Sequence, residues 1–305
     1  MRIVASFLIE PGFFSSAVVR NALITGAIVA LVSAMVGVFT VIRSQSFAGH
    51  AMSDMSTLGG SGSFLIGINP LLGFVAASFA LSGTMELLGV ERRRGRDVAT
   101  GIVLGGALGV SALFLYLDAR SQSTTGAAVT ILFGSLFAQS SARVPIMIAL
   151  GLGGVIVLGI IYRPLLLSSI SPDLALAQGI RVRLLSFLFL SVMGVSVALT
   201  SIEIGTILST ALLIGPASSA LRFSRTPAIA MLCACSIGLI ASWLGILLAY
   251  DSYYWPPKQR GWPVSFFVVV FIFLFYLASS FKERNSLLRR KNISLDRDTN
   301  LEVTS

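Results

Sequence analysis

The chain alternates long apolar stretches with short polar breaks. Each apolar stretch runs about 20 residues, enough for one helix to cross roughly 30 Å of hydrocarbon. The apolar residues are continuous within each stretch and do not alternate, which argues for helices and against a β-barrel. Lipid enforces the same choice, because backbone polar groups there must be satisfied within the chain. The pattern predicts spans at 17–42, 45–68, 70–90, 98–117, 143–162, 184–201, 204–222, 227–250 and 264–281. The second is the weakest. It is rich in Gly, Ser and Thr and ends in LGGSGS, so a broken helix and eight full crossings is the alternative to nine. The expected fold is all-α, a polytopic transmembrane bundle over 1–281 followed by a polar cytoplasmic tail, 282–305.

Two links are more than turns. Residues 118–142 contain TILFGSLFAQ, apolar but too short to cross, which reads as a re-entrant or interfacial piece. Residues 163–183 read RPLLLSSISPDLALAQGIRVR. There Pro172 suits a helix start, Ser171 can cap it, and Gly179 can end it. A short helix across that face would serve as a docking element or as an ordinary interfacial helix.

Composition sharpens the membrane reading. The 305 residues are 55% hydrophobic and 11% charged, against about 25% charged in a soluble domain, and the mean hydropathy is +0.89. The net charge of +9 does not mark a nucleic-acid binder, because the basic residues sit in short loops and the tail. Of 22 Lys and Arg, 16 fall on one set of loops and six on the other. The positive-inside rule assigns the first set to the cytoplasm, which places the N-terminus outside for nine crossings. No basic region and small-residue cleavage site mark a signal peptide at the start. Cys233 and Cys235 stand two apart on an apolar helix, about 200° around it, so they neither chelate one ion nor bridge each other. They read as small packing residues.

Ionisable groups inside spans need a reason, since each costs about 2.5–3.5 kcal/mol on insertion scales. The second span carries the only histidine, His50, and four residues later Asp54. That spacing puts both on one helix face. The face continues as Ser46, His50, Ser53, Asp54, Thr57 and Ser61, a polar stripe expected to line a water-filled path or the bundle interior. The opposite face reads Phe47, Ala48, Ala51, Met52, Met55 and Leu58. Imidazole beside carboxylate suits a borderline divalent cation such as Zn²⁺, Mn²⁺ or Fe²⁺. A structural His–Asp hydrogen bond or a proton relay would use the same residues. Glu86 and Glu91, beside the ERRRGR run, read as salt-bridged interface residues. Glu203, Asp118 and Asp251 fall at span ends and read as solvated on the outer face, with Glu203 also able to line a vestibule there. Pro216 is expected to kink the seventh span. No nucleotide-binding or nucleophile motif is visible, so uphill work would draw energy from a partner.

Several segments, in order, carry a resemblance: VGVFTVIRSQSFAGHAMSD (36–54), GINPLLGFVAASFA (67–80), ILFGSLFA (131–138), YRPLLLSSISPDLALAQGIRVRLL (162–185) and GTILSTALLIGPASSALR (205–222). Together they resemble the permease subunits of bacterial zinc/manganese/iron ABC importers, the ABC-3 family, over nearly the whole chain. SPDLALAQGI and LLIGPASSA are the most specific. The resemblance implies a homodimer of permease chains in the bacterial inner membrane, cytoplasmic ATPase subunits that bind ATP, and an extracytoplasmic metal-binding protein. It implies no permanently bound cofactor; the ion, zinc first and manganese second, passes through. It also marks Ser171, Pro172, Asp173, Ala177, Gln178 and Gly179 as the ATPase-coupling segment. The family usually has Asp first and His four residues later; here GHAMSDM reverses the order and keeps the spacing. With the resemblance, metal contact becomes the leading reading of the pair.

The expected function is therefore inward transport of a divalent transition metal by alternating access. The competing readings are an ABC permease for a metal chelate or cobalamin, a proton-coupled secondary transporter, and an intramembrane enzyme. The first wants a wide aromatic lining, the second no ATPase, and the third another ligand or nucleophile in a different span.

Overall fold

The computed structural model describes residues 13, 15–88, 97–121, 126–138, 141–255 and 261–282. Eleven α-helices appear among them. They are α1 (Ala17–Ile42), α2 (Ser46–Ile66), α3 (Pro70–Leu88), α4 (Asp97–Ser121), α5 (Ala127–Phe133), α6 (Val144–Ile170), α7 (Pro172–Ala177), α8 (Val182–Glu203), α9 (Thr206–Leu221), α10 (Pro227–Ser252) and α11 (Val264–Lys282). A 3-10 turn, Leu136–Ala138, follows α5. Every predicted span is a helix. Five of them, α1, α6, α8, α10 and α11, are long and apolar enough to cross a membrane, and α3 and α9 contain shorter apolar stretches. The ERRRGR run, Glu91 and the tail beyond Lys282 lie outside the described residues.

Two helices organise the bundle. α8 is buried nearly all round from Phe189 to Glu203, and α1 packs against α6, α8, α9 and α10. One apolar core gathers Phe39, Leu165, Phe189, Met193 and Leu213. The other gathers Phe74, Ile131, Leu199, Ile246 and Val268. Arg43, just past the C-terminus of α1, ties the first end together: its guanidinium donates to Ser168 of α6 at 3.2 Å and Ser186 of α8 at 2.9 Å, and lies over the Phe189 ring. Cys233 and Cys235 are unpaired, partly buried side chains packed against the first core, as expected of packing residues.

The predicted end of the fifth span is corrected. The sequence places it at residue 162, but α6 runs on to Ile170 with Pro164 inside it. Proline removes one backbone donor and does not end a helix whose neighbours hold it in place. Pro216 likewise lies buried within α9. Only residues 171–181 then separate the ends of α6 and α8, and α7 occupies most of them.

The apolar stretch within 118–142 forms a short helix and turn of its own. α5 and the 3-10 turn fold back over the end of α8. The Ser135 backbone N–H donates to the Ile202 carbonyl at 3.1 Å. Two glycines with positive φ make the approach possible. Gly134 has φ 83° and ψ 173°, and Gly205, in the link from α8 to α9, has φ 97° and ψ 156°. A β-carbon on Gly134 would stand 2.2 Å from the Glu203 carbonyl oxygen, and one on Gly205 would stand 2.1 Å from that of Leu132.

The solvated reading of the span-end acids is overturned. Glu203 is 1% exposed, Asp118 1% and Asp251 2%. Thr25 of α1 donates to Glu203 Oε2 at 3.1 Å. Asp118 instead lines a cavity of about 350 Å³ with Phe64, Thr130, Ser135 and Arg143.

Candidate functional site

α2 is wrapped by α3, α4, α8 and α9, and its many Gly and Ser residues let those neighbours come close. Serine and threonine cost little inside such a bundle when they bond back to the preceding turn. Thr57 donates to the Ser53 carbonyl at 2.9 Å, Ser61 to that of Leu58 at 3.1 Å, and Ser56 to that of Met52. The predicted polar stripe therefore divides. Ser53, Thr57 and Ser61 are buried, and Ser46 is half-buried. Ser53 faces α9, where it donates to the Thr206 carbonyl at 2.7 Å and lies 2.5 Å from the Ser209 hydroxyl.

His50 and Asp54 lie on the open flank of the same helix. Their side chains are 54% and 18% exposed, and His50 Nε2 stands 3.8 Å from Asp54 Oδ2. The other ring nitrogen, Nδ1, lies 3.2 Å from Thr210 Oγ1 of α9. So α2 supplies both ionisable groups at the predicted spacing, and α9 supplies a hydroxyl that the spacing could not reveal. Phe47 does not lie opposite the pair as expected: it is three residues before His50 and seven before Asp54, which puts it on their side of the helix, and it is exposed, as is Ile207, three residues before Thr210 on α9.

Bonds of about 2.0–2.1 Å to nitrogen and 2.0–2.2 Å to oxygen from a zinc-sized ion span up to about 4.3 Å, so one ion fits between Nε2 and Oδ2 at their present separation. Among the described residues no three His, Cys, Asp or Glu side chains converge. A single chain thus offers two strong donors and an open side.

At the basic end, Ser171 caps α7 by accepting a hydrogen bond from the Leu174 N–H at 3.3 Å. Pro172 opens the helix and Asp173 sits in its first turn, both favourable at a helix N-terminus. Ala175 is buried beneath it, while Pro172, Asp173, Leu174, Leu176, Ala177, Gln178 and Gly179 are exposed. The outer surface of this short helix is apolar and acidic.

These features define a multi-pass helical membrane protein with a short surface helix at one end and a His–Asp pair on one flank. The chain belongs to the ABC 3 transport family, whose model matches residues 15–282. It is 33% identical over 233 residues to the manganese import system permease protein ScaB of Streptococcus parasanguinis, covering 76% of this chain and 81% of that one. It is 30% identical over 211 residues to the high-affinity zinc uptake system membrane protein ZnuB of Haemophilus influenzae, covering 68% and 78%. Among solved structures it superposes on PsaBC from Streptococcus pneumoniae in complex with Fab, with TM-score 0.79 and 25% identity over 94% of this chain and 99% of that one.

Proposed function

We propose that the chain is the permease subunit of an ABC importer carrying a divalent transition metal into the cytoplasm, with His50 and Asp54 as transient ligands. The carrying observation is the pair itself, two donors 3.8 Å apart on an exposed flank of a transmembrane bundle. Lipid is a poor neighbour for such groups. A second copy of the chain covering the flank would enclose them and bring two pairs together, giving four donors around one path. Two donors per chain bind loosely enough for the ion to leave, as conduction requires. Zinc is taken first, because imidazole with carboxylate suits it; manganese is second, and the named relatives include permeases for each. ATP hydrolysis belongs to a separate cytoplasmic subunit, with α7 and its flanking residues as the surface that receives it, and an extracytoplasmic protein delivers the ion.

The test is uptake of radioactive zinc and manganese by cells lacking their own importers. The cells express this chain with its neighbouring ATPase and binding protein, as wild type, His50→Ala or Asp54→Ala. Loss of uptake in both variants at equal membrane abundance supports the reading. Uptake that survives both removes the pair from the path.

A further inference from the structure

The His50 ring meets two different partners. Nε2 faces Asp54 on its own helix, and Nδ1 faces Thr210 on α9. A neutral imidazole carries one proton, and the nitrogen that ligates an ion must be the bare one. The hydrogen bond at one nitrogen decides the state of the other. If Nδ1 holds the proton, it donates to Thr210 Oγ1, and the Nε2 lone pair points into the gap shared with Asp54. Without that hydroxyl, a ring this exposed is free to place its proton on Nε2 and to turn away.

We propose that Thr210 is a positioning residue that holds His50 in the Nδ1–H tautomer, so that Nε2 is presented to the ion only while α9 is seated against α2. The seating has its own clamp one turn away, where buried Ser53 joins the Thr206 carbonyl and the Ser209 hydroxyl. Thr210 lies on the same α9 face as Thr206, four residues on, so Ser53 fixes the register in which its hydroxyl reaches the ring. A slide of α9 along α2 by one residue, about 1.5 Å, carries Oγ1 out of hydrogen-bond range. Ion release thus follows helix displacement without any change in the ligands. The inference rests on the reading of His50 as a ligand, but its first test needs no metal.

His50 is the only histidine, so ¹⁵N-histidine labelling reports on this ring alone. The full chain, purified metal-free in lipid nanodiscs, is recorded by two-bond ¹H–¹⁵N correlation where the imidazole is neutral. The expected result is the Nδ1–H pattern in wild type and Thr210→Ser, and a shift toward Nε2–H in Thr210→Val. In the uptake assay Thr210→Val should lose about tenfold, the usual cost of an outer-shell partner, and Thr210→Ser should stay within about twofold. An Nε2–H pattern in wild type, or an unchanged tautomer in Thr210→Val, overturns the proposal and leaves the ligand reading standing. A changed tautomer with uptake unaltered also overturns it. Uptake that survives His50→Ala sinks the ligand reading instead, whatever the spectra show.

Discussion

Gly205→Ala tests how the α5 segment is held. The backbone at Gly205, φ 97° and ψ 156°, lies where other residues carry about 1–3 kcal/mol of strain. The added methyl would also meet the Leu132 carbonyl oxygen at 2.1 Å, more than about 1 Å inside an ordinary carbon–oxygen contact. Forcing such overlap costs about 1–3 kcal/mol more. The expected destabilisation is about 4 kcal/mol, taking the middle of both ranges. At about 2 °C per kcal/mol for a chain of this size, Tm in detergent should fall by about 8 °C. Gly134→Ala should behave alike, because its methyl would meet the Glu203 carbonyl oxygen. The two substitutions push apart the same pair of surfaces. Once one has displaced the segment, the second side chain enters open space and adds only its backbone strain. The double variant should therefore fall short of the summed shifts by about the overlap part, roughly 2 kcal/mol or 4 °C. Thermal unfolding by intrinsic fluorescence measures all four proteins. A Gly205→Ala chain within about 2 °C of wild type, or a double variant whose shift equals the sum, refutes the interlocked-glycine argument.

Two further outcomes are expected. Ser171→Ala removes the cap on the Leu174 N–H, a local loss of about 1 kcal/mol; Tm should hold within about 2 °C, while ATP hydrolysis by the assembled complex loses its dependence on the delivery protein, read by phosphate release. Arg43→Ala breaks two charge-assisted bonds joining α6 and α8 to the end of α1, worth about 1.5–3 kcal/mol each, so Tm should drop by about 6–12 °C; Arg43→Lys should recover less than half, since one ammonium cannot reproduce the fork to both serines.

The helices were legible because lipid is a demanding solvent. An apolar run of 20 residues has almost no other way to satisfy its backbone, and Ala17–Ile42 and Pro227–Ser252 emerge within two residues of their predicted ends. The failures share a cause. The fifth span is expected to end at 162, but α6 runs on through Pro164 to Ile170, because neighbouring helices decide whether a proline ends a helix. Glu203 reads as a polar residue in a tight outer link. Only the folded chain brings Thr25 and the α5 segment onto it, from positions well over fifty residues away. Gly134 and Gly205 were visible as glycines, but their mutual contact is a tertiary fact. The same limit applied at the site. The i, i+4 spacing of His50 and Asp54 is local and could be read; the Thr210 hydroxyl, 160 residues further on, could not.

The chain treats its acids in two ways, and the contrast bears on assembly. Glu203 is folded away beneath a roof and given the Thr25 hydroxyl, as a lone chain must do with a carboxylate it cannot leave in lipid. His50 and Asp54 receive no such cover from their own bundle, although α3, α4, α8 and α9 enclose the rest of α2. Packing was available: Ser53 and Thr57, on the same stripe, are buried. Leaving two ionisable groups at a lipid-depth surface would cost about 2.5 kcal/mol or more for each charge, and that cost disappears only if water or protein occupies the flank. A second permease chain meeting the first along α2 and α9, as the proposed function requires, would remove that cost, cover Phe47 and Ile207, and supply two further donors to an ion held between the pairs.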